Sequence, residues 1–132
     1  MVAAGWTTNA AAQEARPRIY VNYTSQDAVG RRLAYELRTE IARSPLLSLT
    51  DVEDDAFIRA NLITIAADDN DGYSLTAYSF VITIKDLDGG FDKFYTHFAG
   101  ICGANRVQLC ARDMVTSIVE TRDDIIAALQ QR

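Results

Sequence analysis

The stretch Arg18–Arg43, RIYVNYTSQDAVGRRLAYELRTEIAR, predicts a strand that is followed directly by a helix. In its first part, RIYVNYT, Ile19 and Val21 alternate with Tyr20 and Asn22. This period of two, in a run rich in β-branched and aromatic side chains, is typical of a half-buried strand. The strand therefore presents one face to a core and the other, with Tyr20 and Asn22, away from it.

The second part of this stretch has the four-residue period of an amphipathic helix. Ser25 is placed to cap the N-terminus, and the Ser44-Pro45 pair ends the helix because a residue before proline is steered away from the helical conformation. The apolar positions that define the buried face are Val29, Leu33, Leu37 and Ile41.

Further along the chain, alternation and turn residues predict four more strands. They cover Leu46–Thr50, Ala56–Ala67, Tyr73–Lys85 and Phe91–Cys102. A helix opens after Gly103, and Thr121-Arg122-Asp123-Asp124 resembles a capping box that would start a second, short helix. The order β-α-β-β-β-β-α predicts an α+β two-layer sandwich, with a mainly antiparallel sheet of about five strands and two or three helices on one face.

Length and charge limit the possible classes of protein. The chain has 132 residues, 48% of them hydrophobic, which is enough for a single core, so we expect one α+β domain over residues 17–132. Its net charge is −5, and this balance argues against nucleic acid and anionic lipid, which need surplus Lys and Arg. No stretch is long and apolar enough to predict insertion into a membrane.

The segment Met1–Arg16 lacks any helix or strand period and is set apart from the fold. Ala10–Ala12 has the small-x-small form of a signal-peptidase site, yet the preceding apolar run is short and no Lys or Arg precedes Arg16. Two interpretations stay open: the remnant of a secretory signal peptide, or a disordered N-terminal tail.

The chain has two cysteines, Cys102 and Cys110, at the end of the last strand and in the following helix. Alternation places Cys102 on the same face as Phe94 and Phe98, which we assign to the core, and the helix must cross that core. A disulfide between the two is therefore expected, as in a secreted protein. The alternative is a pair of free buried thiols in a cytosolic protein.

Catalytic chemistry is not indicated by the remaining residues. His97 is the single histidine, and its parity in the strand separates it from Cys102, which argues against a Cys-His dyad. Two cysteines and one histidine at these spacings do not predict a metal site, and no glycine loop matches a nucleotide fingerprint. We therefore expect no cofactor, no metal and no enzymatic activity.

The sheet face away from the helices is the predicted binding surface. Tyrosine offers a large contact area with a polar tip and is enriched at interfaces. The alternative is an ordinary amphipathic sheet face, since strand propensity alone also enriches tyrosine. The residues that parity assigns to the binding face are Tyr20, Asn22, Asn61, Tyr73, Tyr95 and His97.

The layout resembles the small extracytoplasmic α/β domains of bacterial envelope-assembly proteins, namely the lipopolysaccharide-assembly lipoprotein family and the N-terminal domain of the Tol-system propeller protein. The resemblance is carried by the opening strand RIYVNYT, the helix RRLAYELRTEIARS, the short strand LLSLT, and the long hairpin strands with a closing helix. No cysteine near the N-terminus offers a lipid-attachment site, which departs from the lipoprotein members. The resemblance implies a non-enzymatic role in the envelope.

Together these features predict a periplasmic or secreted module that binds a protein or envelope component through its open sheet face or an edge strand. The competing prediction is a cytosolic interaction or regulatory domain with free thiols, and a small enzyme is the third and least favoured. The sequence does not indicate the oligomeric state.

Overall fold

The computed structural model describes residues 16–68, 74–86 and 92–131. The order of strands and helices is the predicted one, and the α+β sandwich is confirmed. The elements are β1 (Arg18–Ser25), α1 (Ala28–Arg43), β2 (Ser48–Leu49), a 3-10 turn (Glu53–Asp55), β3 (Ile58–Ala66), β4 (Leu75–Ile84), β5 (Lys93–Gly103) and α2 (Val107–Gln130).

The five strands form one sheet in the order β2-β1-β3-β4-β5. β1 is parallel to both of its neighbours, whereas β3–β4 and β4–β5 are antiparallel. The longest pairings are therefore antiparallel, as predicted, but the sheet is mixed because β1 lies parallel to both of its neighbours. The physical reason is the crossover through α1, which brings the chain back so that β2 runs in the same direction as β1.

The core lies between the sheet and the two helices, which pack on one of its faces. Ile19 and Val21 of β1 point into it, as their alternation predicts, and Phe80 of β4 is fully buried there. The helices contribute their apolar stripes, so the opposite sheet face stays uncovered by helix. The helical residues of the core are Val29, Leu33, Ala34, Leu37, Ile41, Val107, Ala111, Met114 and Ile118.

The N-terminus of α1 is fixed to β3 by a close polar contact. Asp27, rather than the predicted Ser25, caps the helix: its carboxylate accepts from the Gly30 backbone N–H at 2.9 Å and from Thr64 Oγ1 at 2.7 Å. Burial opposes the charged form, but hydrogen bonds from Thr64, Thr76 and Gly30 outweigh it and lower the pKa of Asp27 below its usual value. The cap lies two residues later than predicted because β1 continues through Ser25.

The last helix is one continuous element, and the prediction of a second helix starting at Thr121 is wrong. Thr121 is buried in α2, where its hydroxyl donates to the Ser117 carbonyl one turn earlier at 2.9 Å. The Thr121 hydroxyl therefore finds its hydrogen-bond partner within the same helix and does not cap a new one. Over the described parts of the chain, neither helix is long and apolar enough to cross a membrane.

Candidate functional site

The open face is the side of the sheet that the helices leave uncovered. In the antiparallel part of the sheet, paired residues point to the same face, so the register defines its rows. One row runs through Ile65, Ala77 and Ile101, and the next through Ile63, Ser79 and Ala99, with Thr24 beside Ile63. The rows thus cross the sheet at one end of the open face.

Apart from Ser79, these two rows form an apolar strip, defined as Ile63, Ile65, Ala77, Ala99 and Ile101. Its three isoleucines are 55%, 65% and 66% exposed in chain order, although each has a side chain that water solvates poorly. Small residues separate them along the rows, so the strip is a shallow surface with three apolar projections. A group of exposed apolar side chains on one face is typical of an interaction site.

The other end of the open face carries a polar cluster, defined as Asn22, Arg59, Asn61, Thr83 and Asp92. Arg59 Nη1 lies 3.0 Å from Asp92 Oδ2, and the same carboxylate oxygen accepts from Thr83 Oγ1 at 3.2 Å. Asn61 Nδ2 lies 3.4 Å from Thr83 Oγ1, and Asn22 Nδ2 donates to Asn61 Oδ1 at 3.4 Å. These contacts hold the cluster in place without a ligand.

A β-bulge changes the face of two aromatic residues in β5. Pairing with β4 is interrupted between Ile82 and Thr83, which face Thr96 and Phe94, so Tyr95 is the extra residue. Phe94 therefore lies on the open face, with its ring centre 5.6 Å from that of His97. The extra residue reverses the parity that regular alternation predicts for every position before it.

Tyr95 accordingly lies on the helix side, and its predicted place on the open face is wrong. It packs against the core, and its hydroxyl donates to the Asp124 carboxylate of α2. The placement of Phe94 in the core is wrong for the same reason. Sequence reasoning missed this because the bulge adds one residue to a strand that otherwise alternates regularly.

Of the other residues predicted for the binding face, four lie where the sequence placed them. Tyr20, Asn22, Asn61 and His97 are all on the open face, two of them in the polar cluster. Tyr73 lies outside the described residues. The apolar strip was not predicted, although Ile63 and Ile65 share the parity of Asn61, which is the signal that would have identified them.

The hydrogen bond to Asp124, together with burial and the charge of that carboxylate, raises the pKa of Tyr95 to about 12. Because the pKa of Tyr95 is higher in the folded protein, the contact stabilises the fold fully below about pH 10, the pKa of tyrosine in the unfolded chain. Its contribution disappears as the pH rises through about 12. We expect Asp124→Asn to return the pKa toward 10 and Tyr95→Phe to lower stability by less than about 1 kcal/mol at pH 8. Tyrosinate absorbance and urea unfolding measure the two effects. An unchanged absorbance titration in Asp124→Asn would contradict this assignment.

Cys102 and Cys110 form a disulfide that joins β5 to the first turn of α2, with their Cα atoms 6.4 Å apart. Cys102 is buried on the helix side of the sheet, where the sequence placed it. His97 lies on the opposite face, as parity predicts, so the sheet separates the imidazole from both sulfur atoms. The disulfide is thus a structural bridge that links β5 to α2 on the helix side of the sheet.

Neither a protein-family model nor a curated protein matches this chain. Similar folds occur among solved structures. A minor lipoprotein from Acinetobacter baumannii is 9% identical, with a TM-score of 0.47, covering 80% of this chain and 94% of that one. The PelC dodecamer from Paraburkholderia phytofirmans is 11% identical, with a TM-score of 0.46 and coverages of 80% and 87%. Rare lipoprotein B from Shewanella oneidensis is 10% identical, with a TM-score of 0.42 and coverages of 82% and 98%.

Proposed function

We propose that this chain is a non-enzymatic binding module of the periplasm or the secreted space, and that it holds a protein partner against its open face. The observation that carries the proposal is the apolar strip, in which Ile63, Ile65 and Ile101 are more than half exposed. Exposed apolar residues occur singly on most proteins, but here three lie in adjacent rows of one rigid sheet. Covering them with a partner removes apolar surface from water.

The polar cluster supports the same proposal from the other end of the face. Protein interfaces combine an apolar centre with a polar rim that fixes orientation. Asn22, Arg59 and Asp92 are already held by side-chain contacts, so a partner would meet groups whose positions are set beforehand. Less side-chain entropy is then lost on binding.

The disulfide supports an oxidising compartment. Disulfides persist in the periplasm and outside the cell, and they are rare in the cytosol, where thiols are kept reduced. Cys102 and Cys110 form such a bridge. The cytosolic alternative requires both thiols to be free in the cell.

The proposal is tested with a photo-crosslinking amino acid placed at Ile65, expressed in the native cells. We expect a crosslinked adduct to a second protein, because the side chain of Ile65 is 65% exposed and belongs to the apolar strip. Leu109 is the matched control, since it is a 48% exposed apolar residue on α2, away from the open face. Equal adduct yields at the two positions, or none at residue 65, would refute the open face as the binding surface.

A second variant tests whether the strip itself provides the affinity. Ile63→Lys, combined with the crosslinker at Ile65, is expected to reduce the adduct by at least about tenfold, because a charge would have to be buried in the contact. Ile63 is more than half exposed, so the substitution leaves the core unchanged. Retention of the full adduct yield would mean that the partner contacts residue 65 without the strip.

A further inference from the structure

The two edges of the sheet differ greatly in length. At one edge β2 has only two residues, and the chain after it still bonds to β1, with Thr50 N–H donating to the Ile19 carbonyl. At the other edge β5 has eleven residues. A long edge strand offers a row of backbone groups to another strand.

The direction of the backbone groups in β5 follows from one hydrogen bond. Ala104 N–H donates to the Ser74 carbonyl at 3.0 Å, which makes this opposed pair a hydrogen-bonded one. Hydrogen-bonded pairs alternate along an antiparallel ladder, so the even-numbered residues from 96 to 102 bond to β4. The N–H and C=O groups of His97, Ala99 and Ile101 therefore point away from the sheet.

Those six groups have no backbone partner within the described parts of the chain, and all three residues are exposed. The usual protections of an edge are charged side chains, proline, bulges and short length. Residues 95–104, YTHFAGICGA, contain no Asp, Glu, Lys, Arg or Pro, in a chain whose net charge is −5. The bulge at Tyr95 and the charge of Lys93 lie at one end and leave the rest of the edge unprotected.

We propose that this edge pairs with the same edge of a second copy of the chain, antiparallel, with Ala99 opposite Ala99. The three outward residues are spaced by two and are symmetric about Ala99, so a two-fold axis there places His97 of each copy opposite Ile101 of the other. Both backbone groups of all three residues then find partners, which is the self-complementarity that a two-fold interface requires. Because residues 95–104 contain no Asp, Glu, Lys or Arg, the pairing brings no like-charged pair of these residues together along the edge.

The pairing produces a ten-stranded sheet in which both open faces lie on the same side. Directly opposed residues of an antiparallel pair share a face, so the row of Ile63, Ser79 and Ala99 continues into the same row of the second copy. The apolar strips of the two copies thereby join across the axis. This inference stands apart from the proposed function, because it concerns backbone pairing at β5 rather than the occupant of the open face.

The oligomeric state of the 132-residue chain tests the proposal by light scattering during size-exclusion chromatography. We expect the mass of two chains, falling to the mass of one on dilution. Ala99→Lys is expected to raise the dimer dissociation constant by at least about tenfold, because two lysines would face each other on the axis. Ala99→Glu should do the same. Monomeric wild-type protein at its highest soluble concentration, or an unchanged dimer in Ala99→Lys, would overturn the proposal.

Mixing the two charge variants provides the decisive control for folding and register. Equal amounts of the Ala99→Lys and Ala99→Glu proteins should form a heterodimer, since opposite charges then face each other across the axis. Ile65→Lys, on the same sheet face but away from the edge, should have the same dimer dissociation constant as the wild type. Failure of the mixture to dimerise, or loss of the dimer in Ile65→Lys, would contradict pairing through Ala99.

Discussion

Replacing Gly30 with alanine is expected to lower the free energy of unfolding by about 3 kcal/mol. A Cβ at this position would lie 1.9 Å from Thr64 Oγ1 and 2.4 Å from Asp27 Oδ1, much closer than atoms can approach. Relieving the overlap requires α1 to move away from β3 and breaks the hydrogen bond between Thr64 and Asp27. Alanine favours helix over glycine by only about 1 kcal/mol, so the steric effect is the larger one. Urea unfolding followed by circular dichroism measures the change.

Two controls show whether space at this contact is the cause. In a Thr64→Ala background, the hydroxyl that meets the new Cβ first is gone, and the effect of Gly30→Ala should fall to about half. Gly100→Ala is the matched glycine, because its Cβ would lie 2.7 Å from the Tyr78 hydroxyl, which the rotation of a flexible side chain can relieve. We expect Gly100→Ala to lower stability by less than about 1 kcal/mol. A larger loss in Gly100→Ala than in Gly30→Ala would contradict the steric explanation.

Removing the disulfide is expected to lower the free energy of unfolding by about 2.5 kcal/mol. The bridge between Cys102 and Cys110 closes a short loop, with a sequence separation of 8, and restricts the unfolded chain by about that amount in the chain-entropy description. The double variant Cys102→Ala, Cys110→Ala avoids leaving a buried polar atom near the core. Urea unfolding of the oxidised wild type and of this variant gives the difference.

Reduction is the internal control. The reduced wild-type protein should match the double variant in stability, and a reductant should leave the variant unchanged. Equal stability of the oxidised and reduced wild type would contradict the prediction. The same chemistry tests the compartment: protein from the native cells should alkylate at both cysteines only after reduction, whereas free thiols would favour the cytosolic alternative.

Much of the fold could be predicted from alternation and helical period. Ile19 and Val21 indicated the buried face of the first strand, and the four-residue spacing in α1 placed its buried stripe correctly. The mixed character of the sheet could not be read in this way, because periodicity defines which face is buried but not which strand lies alongside. The helix cap at Asp27 was also missed, because its carboxylate is held by Thr64, a residue far away in sequence.

The candidate site was predictable in part, and the limit was local backbone geometry. Asn61 and His97 lie on the open face as predicted. β3 alternates regularly around Asn61, and β5 pairs regularly with β4 from Thr96 onward. Phe94 and Tyr95 lie on the faces opposite to those predicted, because β5 contains one extra residue. No residue type in that segment indicates a bulge. Ile63 and Ile65 share the parity of Asn61, which is a usable signal, but an interface prediction based on tyrosine does not include them.

The interior position of β1 has a consequence for how the chain folds. β1 precedes the other four strands of the sheet, yet Ile19 pairs with the distant Ile58, whereas Ile84 pairs with Lys93, which is near it in sequence. Distant pairings close larger loops and form more slowly, so we expect the β3–β4–β5 meander to form the folding nucleus and β1 to dock afterwards. A chain that emerges with its N-terminus first, from a ribosome or a translocation channel, therefore leaves the apolar side of β1 open to chaperones until β3 has emerged.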